Sequence, residues 1–322
     1  LYSFTYLLLA GVLVIFLITR KQFHLTLTLS RVTRKFRKKM ITFVSFIWGG
    51  SMLFSISQFF DSLVIAAVLK NGLALTGVYT LAQNISSLIQ APQRGITSAA
   101  VGPLAQAWKD KNLEKIKTIY HRSSINQIVF SIGMFTLIWL NFEDGVFTFH
   151  LQEGYLDAKY IFLFIGLMRI VDMGTGLNGQ IIGTSSFWRI DFFTGIFLIA
   201  ITLPLNYLMT RSLGVVGPAI ANLISLSLYN LIRFFFLWKK FNLQPFDGKS
   251  ALPIPLGLSG YLVCHYLFGD HQGLQWMLLR SSVFVVIYFS GILYFNISPD
   301  IKPVWNTLLK KLGLSSGNRD VA

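Results

Sequence analysis

FFTGIFLIAITLPLNYLM (residues 192–209) and PAIANLISLSLYNLIRFFFL (residues 218–237) are two long apolar runs joined by the short segment TRSLGVVG (residues 210–217). A helix rises about 1.5 Å per residue, so roughly 20 apolar residues cross the hydrocarbon of a bilayer. Each run therefore reads as a transmembrane helix. Working outward by the same rule gives span A at Leu1–Ile18, B at Ile41–Leu69 and C at Leu73–Leu104, interrupted by Pro92. Span D follows at Ile125–Leu140, then E at Tyr160–Met173 with a broken continuation through Gly174–Gly183. The two quoted runs are F and G; H is Pro253–Phe268 and I is Trp276–Phe295. The expected fold class is all-α integral membrane, a helical bundle of about nine transmembrane spans.

Composition agrees. The 322 residues are 53% hydrophobic and 13% charged, with a mean hydropathy of +0.59. A soluble domain carries about 25% charged residues, so the polar surface of a water-facing globule is missing. A net charge of +15 invites comparison with nucleic-acid binders, but those gather their basic residues on one face. Here they fall in short runs between apolar stretches. One cysteine, Cys264, excludes a disulfide framework or a cysteine metal site within the chain. The apolar start at Leu1, with Arg20 and Lys21 after the run and not before it, does not resemble a secretory signal; the expectation is a chain lacking upstream sequence.

The loops give the direction of each crossing, because Lys and Arg collect in short cytoplasmic loops. The A–B linker holds Arg20, Lys21, Arg31, Arg34, Lys35, Arg37, Lys38 and Lys39. The C–D loop holds Lys109, Lys111, Lys115, Lys117 and Arg122, and the G–H region holds Arg233, Lys239, Lys240 and Lys249. Alternate loops are nearly free of cations, and D–E is acidic through Glu143, Asp144, Glu153 and Asp157. The basic loops and the tail are therefore expected in the cytoplasm. Val32, Phe36 and Met40, and again Leu113, Ile116 and Tyr120, recur at helical spacing among lysines and arginines. Both segments read as interfacial helices lying against anionic lipid.

No phosphate-binding loop, HExxH, GxSxG or useful carboxylate pair appears, and none of His24, His121, His150, His265 and His271 has a metal-ligand partner one helical turn away. No catalytic residue, metal or cofactor is expected, and the chain reads as a non-enzyme. What remains is charge at membrane depth, which costs about 2.5–3.5 kcal/mol at the bilayer centre and so faces a bundle interior or a wet cavity. Arg94 follows Pro92 in span C, with Gln83, Asn84 and Gln90 on neighbouring turns; Arg169 and Asp172 share one face of span E; Asp61 lies in the outer part of span B. The functional expectation is a cationic cavity for an anionic headgroup, with Asp61 or Asp172 tuning charge or coupling an ion. The structural alternative is an ion pair, Arg169 with Asp172 or Arg94 with another helix. Arg280, near the end of span I, is expected to snorkel. Gly174, Gly176, Gly179 and Gly183 around Asn178 mark a broken helix facing a cavity. Gly214, Gly217, Ala219 and Ala221 offer a close-packing face, with Pro218 in a first helical turn.

These residues carry a resemblance. Asp61 with Leu63–Val68, GVYTLA (77–82), APQR (91–94), PLA (103–105), NGQIIGTS (178–185) and GVVGPAIA (214–221), followed by Phe241, Pro245 and Phe246, occur in the order seen in the polysaccharide export branch of the multidrug/oligosaccharidyl-lipid/polysaccharide exporter superfamily, which includes the O-antigen flippases. Pro218 departs from the alanine more usual there. The resemblance implies a fourteen-helix, two-lobe transporter of the bacterial inner membrane that moves a polyprenyl-pyrophosphate-linked oligosaccharide outward by alternating access. It implies partnership with membrane lipids and other surface-polysaccharide assembly proteins, and no nucleic acid. Residues 1–18 would then end the first lobe, 19–40 form a basic linker and 41–238 the second six-helix lobe. Residues 239–251 become a cytoplasmic loop, 252–296 two extra spans and 297–322 a cytoplasmic tail. Arg94, Arg169, Gln90 and Asn178 are the expected substrate contacts. The alternatives are a drug or cation antiporter or a lipid II flippase of the same superfamily, and a membrane-embedded saccharide polymerase or glycosyltransferase.

Overall fold

The computed structural model of the protein describes residues 2–20, 31–269 and 271–311. Lys21 and His24 of the basic linker and Arg319 of the tail lie outside the described residues, as does the side chain of Val32. The chain divides into two units, residues 1–49 and 50–322. In the first, α1 (Tyr2–Thr19) is apolar around its circumference, with Leu7, Leu8, Leu9 and Ile15 all exposed, as suits a helix with no polar face to turn toward water. The helix α2 (Arg31–Val68) begins in this unit and carries the basic segment and the expected span B as one element, with Phe36 and Met40 exposed on its first turns.

The second unit consists of helices joined by loops, with no strand among its described residues. The helix α3 (Gly72–Ser87) ends in a 3-10 turn at Leu88–Gln90, and α4 (Gln93–Lys109) restarts after Pro92. Span C is thus two helices, because a proline removes a backbone donor and obstructs the turn before it. The helices α5 (Leu113–Thr148) and α6 (Ala158–Gly174) follow, then the short α7 (Asn178–Gly183). The break between α6 and α7 falls where the glycines forecast it, with Gly176 at a φ of +64° packed against Ser123 and Ser124. The helices α8 (Trp188–Leu213) and α9 (Gly217–Phe241) are the two runs quoted first. The chain ends in α10 (Pro253–Phe268), α11 (Leu274–Tyr294) and an unforeseen α12 (Ile301–Lys311). Among the described residues three helical stretches, α5, α8–α9 and α11, are long and apolar enough to cross a membrane by length and composition, which marks the chain as a membrane protein.

The α8–α9 stretch folds back on itself at Gly214, whose φ of +67° suits a residue without a side chain. At Gly217 a Cβ would lie 2.3 Å from the backbone carbonyl of Met209, so only glycine lets the two helices start this close. Pro218 occupies the first turn of α9 as its sequence position predicted. The buried residues of α8 are Thr194, Leu198, Thr202, Asn206 and Thr210, a stripe at four-residue spacing that is mostly polar. The rest of the helix is apolar and more open. A soluble helix hides its apolar stripe; this one hides its polar stripe.

Packing corrects one expectation about α5. Its first turns were expected to lie in the headgroup layer, but Asn112 caps the helix by accepting from the Lys115 amide at 3.0 Å, and the helix runs on unbroken into the span. Ile116 and Tyr120 are fully buried, clustered with Leu177 and Ile181 near α7 and Leu237 and Leu243 at the end of α9. A second cluster joins α5 to α10 and α11 through Ile128, Ile132, Phe284 and Tyr288. A third joins α3, α5 and α6 through Tyr79, Phe142 and Phe162. Within it, a Cβ on Gly166 would meet the Phe135 ring at 2.5 Å, and that ring is already stacked on Trp139 and Phe162. Gly166→Ala is therefore expected to destabilise the protein by about 1–3 kcal/mol, the usual cost of overpacking, read as a lower unfolding midpoint in detergent.

Arg280 does not snorkel. Its Nη2 lies 2.7 Å from Asp144 Oδ2, and its guanidinium donates to the carbonyls of Leu140 at 3.0 Å and His271 at 2.8 Å. Both side chains are buried, 8% and 7% exposed. At the opposite end of α5, Arg122 pairs with Asp300, which also accepts from Asn126 Nδ2 at 2.7 Å. Beside it, His121 Nδ1 meets the Pro245 carbonyl at 2.8 Å and its Nε2 lies 3.5 Å from Asp247. Burial pushes the Asp247 carboxyl up, but the Ser250 hydroxyl, His121 and the Lys249 and Ser250 amides outweigh it and hold the group below its usual range.

The hydrogen bonds from Arg122 hold the Asp300 carboxyl below its ordinary value of 3.8. A depressed carboxylate adds stability that is complete above its unfolded pKa and is lost as the pH falls through the folded one. Asp300→Asn should therefore lower the unfolding midpoint at neutral pH, and the gap to the parent protein should close as the pH drops below about 3.8. Half of the Arg122 side chain is exposed, so the effect is small and shrinks with salt.

Candidate functional site

The second unit contains a cavity of about 580 Å³ lined by α2, α3, α4, α6, α7, α8 and α9. All six residues singled out from the sequence border it: Asp61, Gln90, Arg94, Arg169, Asp172 and Asn178. The helices place them by register. Arg169 and Asp172 sit one turn apart on α6; Gln83, Asn84 and Ser87 continue along α3 to Gln90 in the 3-10 turn; Gln93 and Arg94 open α4. The break after α6 presents Gly176, Asn178, Gly179 and Gln180 to the same space. From α9 come Asn222, Leu226, Tyr229 and Arg233, a stripe at helical spacing. Asn222 and Arg233 are eleven residues apart, so they mark positions about 16 Å apart along the helix axis.

The two carboxylates are not paired with arginines. Asp61, 2% exposed, accepts from the Tyr79 hydroxyl at 2.8 Å, from Asn222 Nδ2 at 2.6 Å and from Asn206 Nδ2. Asp172 accepts from Gln93 Nε2 at 3.0 Å and Gln90 Nε2 at 3.3 Å on one oxygen, and from Asn230 Nδ2 at 3.1 Å on the other. Asn178 Nδ2 in turn donates to Asn230 Oδ1 at 3.0 Å. Neutral amides and a phenol therefore occupy the lone pairs of both acids, which satisfies buried carboxylates without forming an ion pair.

The arginines differ from one another. Among the described residues neither Arg94 nor Arg169 makes a hydrogen bond or an ion pair, and Arg169 Nε is buried without a partner. The expected alternative, Arg169 paired with Asp172, is not found. Arg233, which the sequence reading counted with the cytoplasmic loop, faces the cavity instead. It is paired with Asp191 of α8, and its guanidinium lies 3.8 Å from the centroid of the Tyr229 ring. Three arginines, two of them unpaired among the described residues, thus face two carboxylates, so the lining carries one more positive than negative charge and its groups differ in hydrogen-bonding capacity.

Carboxamides dominate the remaining polar lining: Gln83, Asn84, Gln90, Gln93, Asn178, Gln180 and Asn222. Gln90, Gln93, Asn178 and Asn222 already donate within the protein, but each keeps its carbonyl oxygen, and Gln83, Asn84 and Gln180 carry both donors and an acceptor, which suits a polyhydroxylated ligand. Tyr79, Asn206, Asn222, Asn230 and Arg233 were missed from sequence. The signal that could have found Asn206 is the buried polar stripe of α8, and Asn222, Asn230 and Arg233 lie on the inward face of α9. Among the described residues no cluster of His, Cys, Asp and Glu could hold a metal ion. Compared with models of known protein families, with curated proteins and with solved structures, this chain matches none.

Proposed function

We propose that this protein is a membrane transporter that translocates a polyprenyl-pyrophosphate-linked oligosaccharide across the bacterial inner membrane for surface polysaccharide assembly. One observation carries the reading. Each oxygen of the cavity's two acids already accepts from a neutral donor, while among the described residues Arg94 and Arg169 make no hydrogen bond. The charged groups left uncommitted in the site are therefore cationic donors, which fit a diphosphate, since guanidinium forks match phosphate oxygens. The surrounding carboxamides fit sugar hydroxyls, and the polyprenyl chain stays in hydrocarbon.

In this proposal the nine spans read from sequence are the sixth to fourteenth of a fourteen-helix protein, and α2 to α9 are its second lobe. The basic loops and the C-terminus face the cytoplasm, and the cavity opens alternately to the two sides. Asp61 and Asp172 tune the charge of the site or couple an ion. A second reading, a drug or cation antiporter of the same superfamily, is favoured by the burial of Asp61 with only neutral hydrogen-bond donors on its oxygens. A proteoliposome assay separates the two. Labelled lipid-linked saccharide should reach the opposite leaflet only when the protein is present. Turnover of the sugar chain, or transport of organic cations instead, would sink the exporter reading.

A further inference from the structure

We propose that the Arg233–Asp191 ion pair is a displaceable seal at the α7 end of the cavity, released when a phosphate or diphosphate group takes Arg233 away from Asp191. The inference rests on an anionic cargo, and it adds a third cargo-binding cation and a means of opening the site.

Arg233 and Asp191 stand on either side of a boundary. Arg233 lines the cavity with its side chain 10% exposed, whereas Asp191 is outside the lining and 37% exposed. The pair joins the late part of α9 to the first turn of α8 and passes over α7. The fit over α7 is close: a Cβ on Gly179 would lie 2.9 Å from Arg233 Nη1. Beyond the pair, Phe187, Phe236, Phe241 and Trp108 pack edge to face, and Trp108 Nε1 donates to the Ile181 carbonyl of α7 at 2.9 Å. In this proposal the ion pair and the aromatic cluster together close this end, while Asp61 and its neutral donors occupy the far one.

The guanidinium is built to change partners. The Tyr229 ring beneath it holds its plane independently of Asp191, a contribution that persists whichever anion is bound. Its Nε is buried with no acceptor, so donor capacity remains for a ligand with several oxygens. Asp191, by contrast, can return to water once released. A diphosphate arriving near Arg94 and Arg169 would compete for Arg233, and its departure would let Asp191 reclaim the arginine and close the end again. A side chain at residue 179 would crowd Arg233 Nη1, which the flexible arginine can relieve by a small shift.

The test needs no knowledge of the saccharide. Cys264 is the protein's one cysteine and is fully buried, so Gln180→Cys places a single reactive thiol at the mouth of α7. In the purified full chain, reaction of that thiol with a water-soluble maleimide should be slow. Adding Asp191→Asn should accelerate it by about tenfold or more, since the ion-pair partner is lost. Asp191→Glu, which keeps the charge, should stay within about twofold of the parent. Equal rates in the Asp191→Asn protein, with a monodisperse elution profile, would overturn the seal. Inorganic pyrophosphate titrated at fixed ionic strength is the second arm. Asp191→Asn should bind it several-fold more tightly than the parent, and Arg233→Gln added to Asp191→Asn should abolish that gain. Unchanged pyrophosphate affinity would overturn the exchange of partners. If both arms succeed and lipid-linked saccharide is still not translocated, the seal stands and only the cargo assignment falls.

Discussion

Arg280→Ala is expected to be among the most destabilising single substitutions in the protein, at about 3–5 kcal/mol, because it strands a buried carboxylate. Asp144 would be left 7% exposed at the side chain with its charge uncompensated, and the carbonyls of Leu140 and His271 would lose their donors. The loss should appear as a sharply lower apparent unfolding temperature in detergent and as looser packing of α10 and α11 against α5. Asp144→Leu combined with Arg280→Met should recover most of the stability, since replacing a buried pair with apolar groups of similar size is often neutral. If the double substitution is as damaging as Arg280→Ala alone, the harm comes from lost packing and carbonyl partners, and the charge-pair account is wrong. Neither residue touches the cavity, so these effects are separable from transport.

The second large effect concerns cargo. Arg169→Ala should reduce translocation of labelled lipid-linked saccharide by about 10- to 100-fold, the range for losing a charge-assisted hydrogen bond of ~1.5–3 kcal/mol. Arg94→Ala should act in the same direction but less strongly, because Arg94 is exposed whereas Arg169 is mostly enclosed. Lysine at position 169 should rescue only part of the loss, since an ammonium lacks the planar fork that grips two phosphate oxygens. Arg94→Ala should change stability little, whereas Arg169→Ala also removes the positive charge that Asp61 and Asp172 interact with, so its unfolding midpoint is measured alongside transport. Wild-type export in both alanine variants, at normal expression, would remove the anionic-cargo reading altogether.

Together with the accessibility of the α7 mouth, these outcomes distinguish three layers of the protein. Arg280–Asp144 belongs to the scaffold, Arg94 and Arg169 to binding, and Arg233–Asp191 to the border of the site. All three involve arginines set among apolar helices, and the sequence alone could not rank them. An arginine in an apolar run is expensive wherever it sits. Whether it is neutralised, left free or held in reserve depends on which helix faces it.

Much of the architecture was legible early. Apolar run lengths gave the helices, with α10 matching Pro253–Phe268 at both ends. Pro92 gave the break between α3 and α4, and the glycines from Gly174 to Gly183 gave the interruption after α6. These signals are local: hydrophobicity, a missing amide donor, a permitted positive φ. The early turns of α5 went astray for a related reason. A four-residue apolar spacing among lysines describes a helix face without saying what covers it, and here Leu177, Ile181, Leu237 and Leu243 cover it. The helix α12 passed unnoticed because its eleven residues, IKPVWNTLLKK, are too short and too charged for a rule built on span length.

The sequence by itself determined that the chain is an all-helical membrane protein and which of its polar residues are costly enough to matter. Asp61, Gln90, Arg94, Arg169, Asp172 and Asn178 could be named because burying a polar group in an apolar run demands a reason. Only the tertiary structure decided that these six share one cavity, that both carboxylates are held by amides and a phenol, and that Arg233 belongs to the site while Arg280 belongs to the core. Partner choice is set across residue separations as long as the 161 between Asp61 and Asn222. No pattern within a single helix encodes a pairing at that range, because the hydrogen bond exists only after the helices have packed.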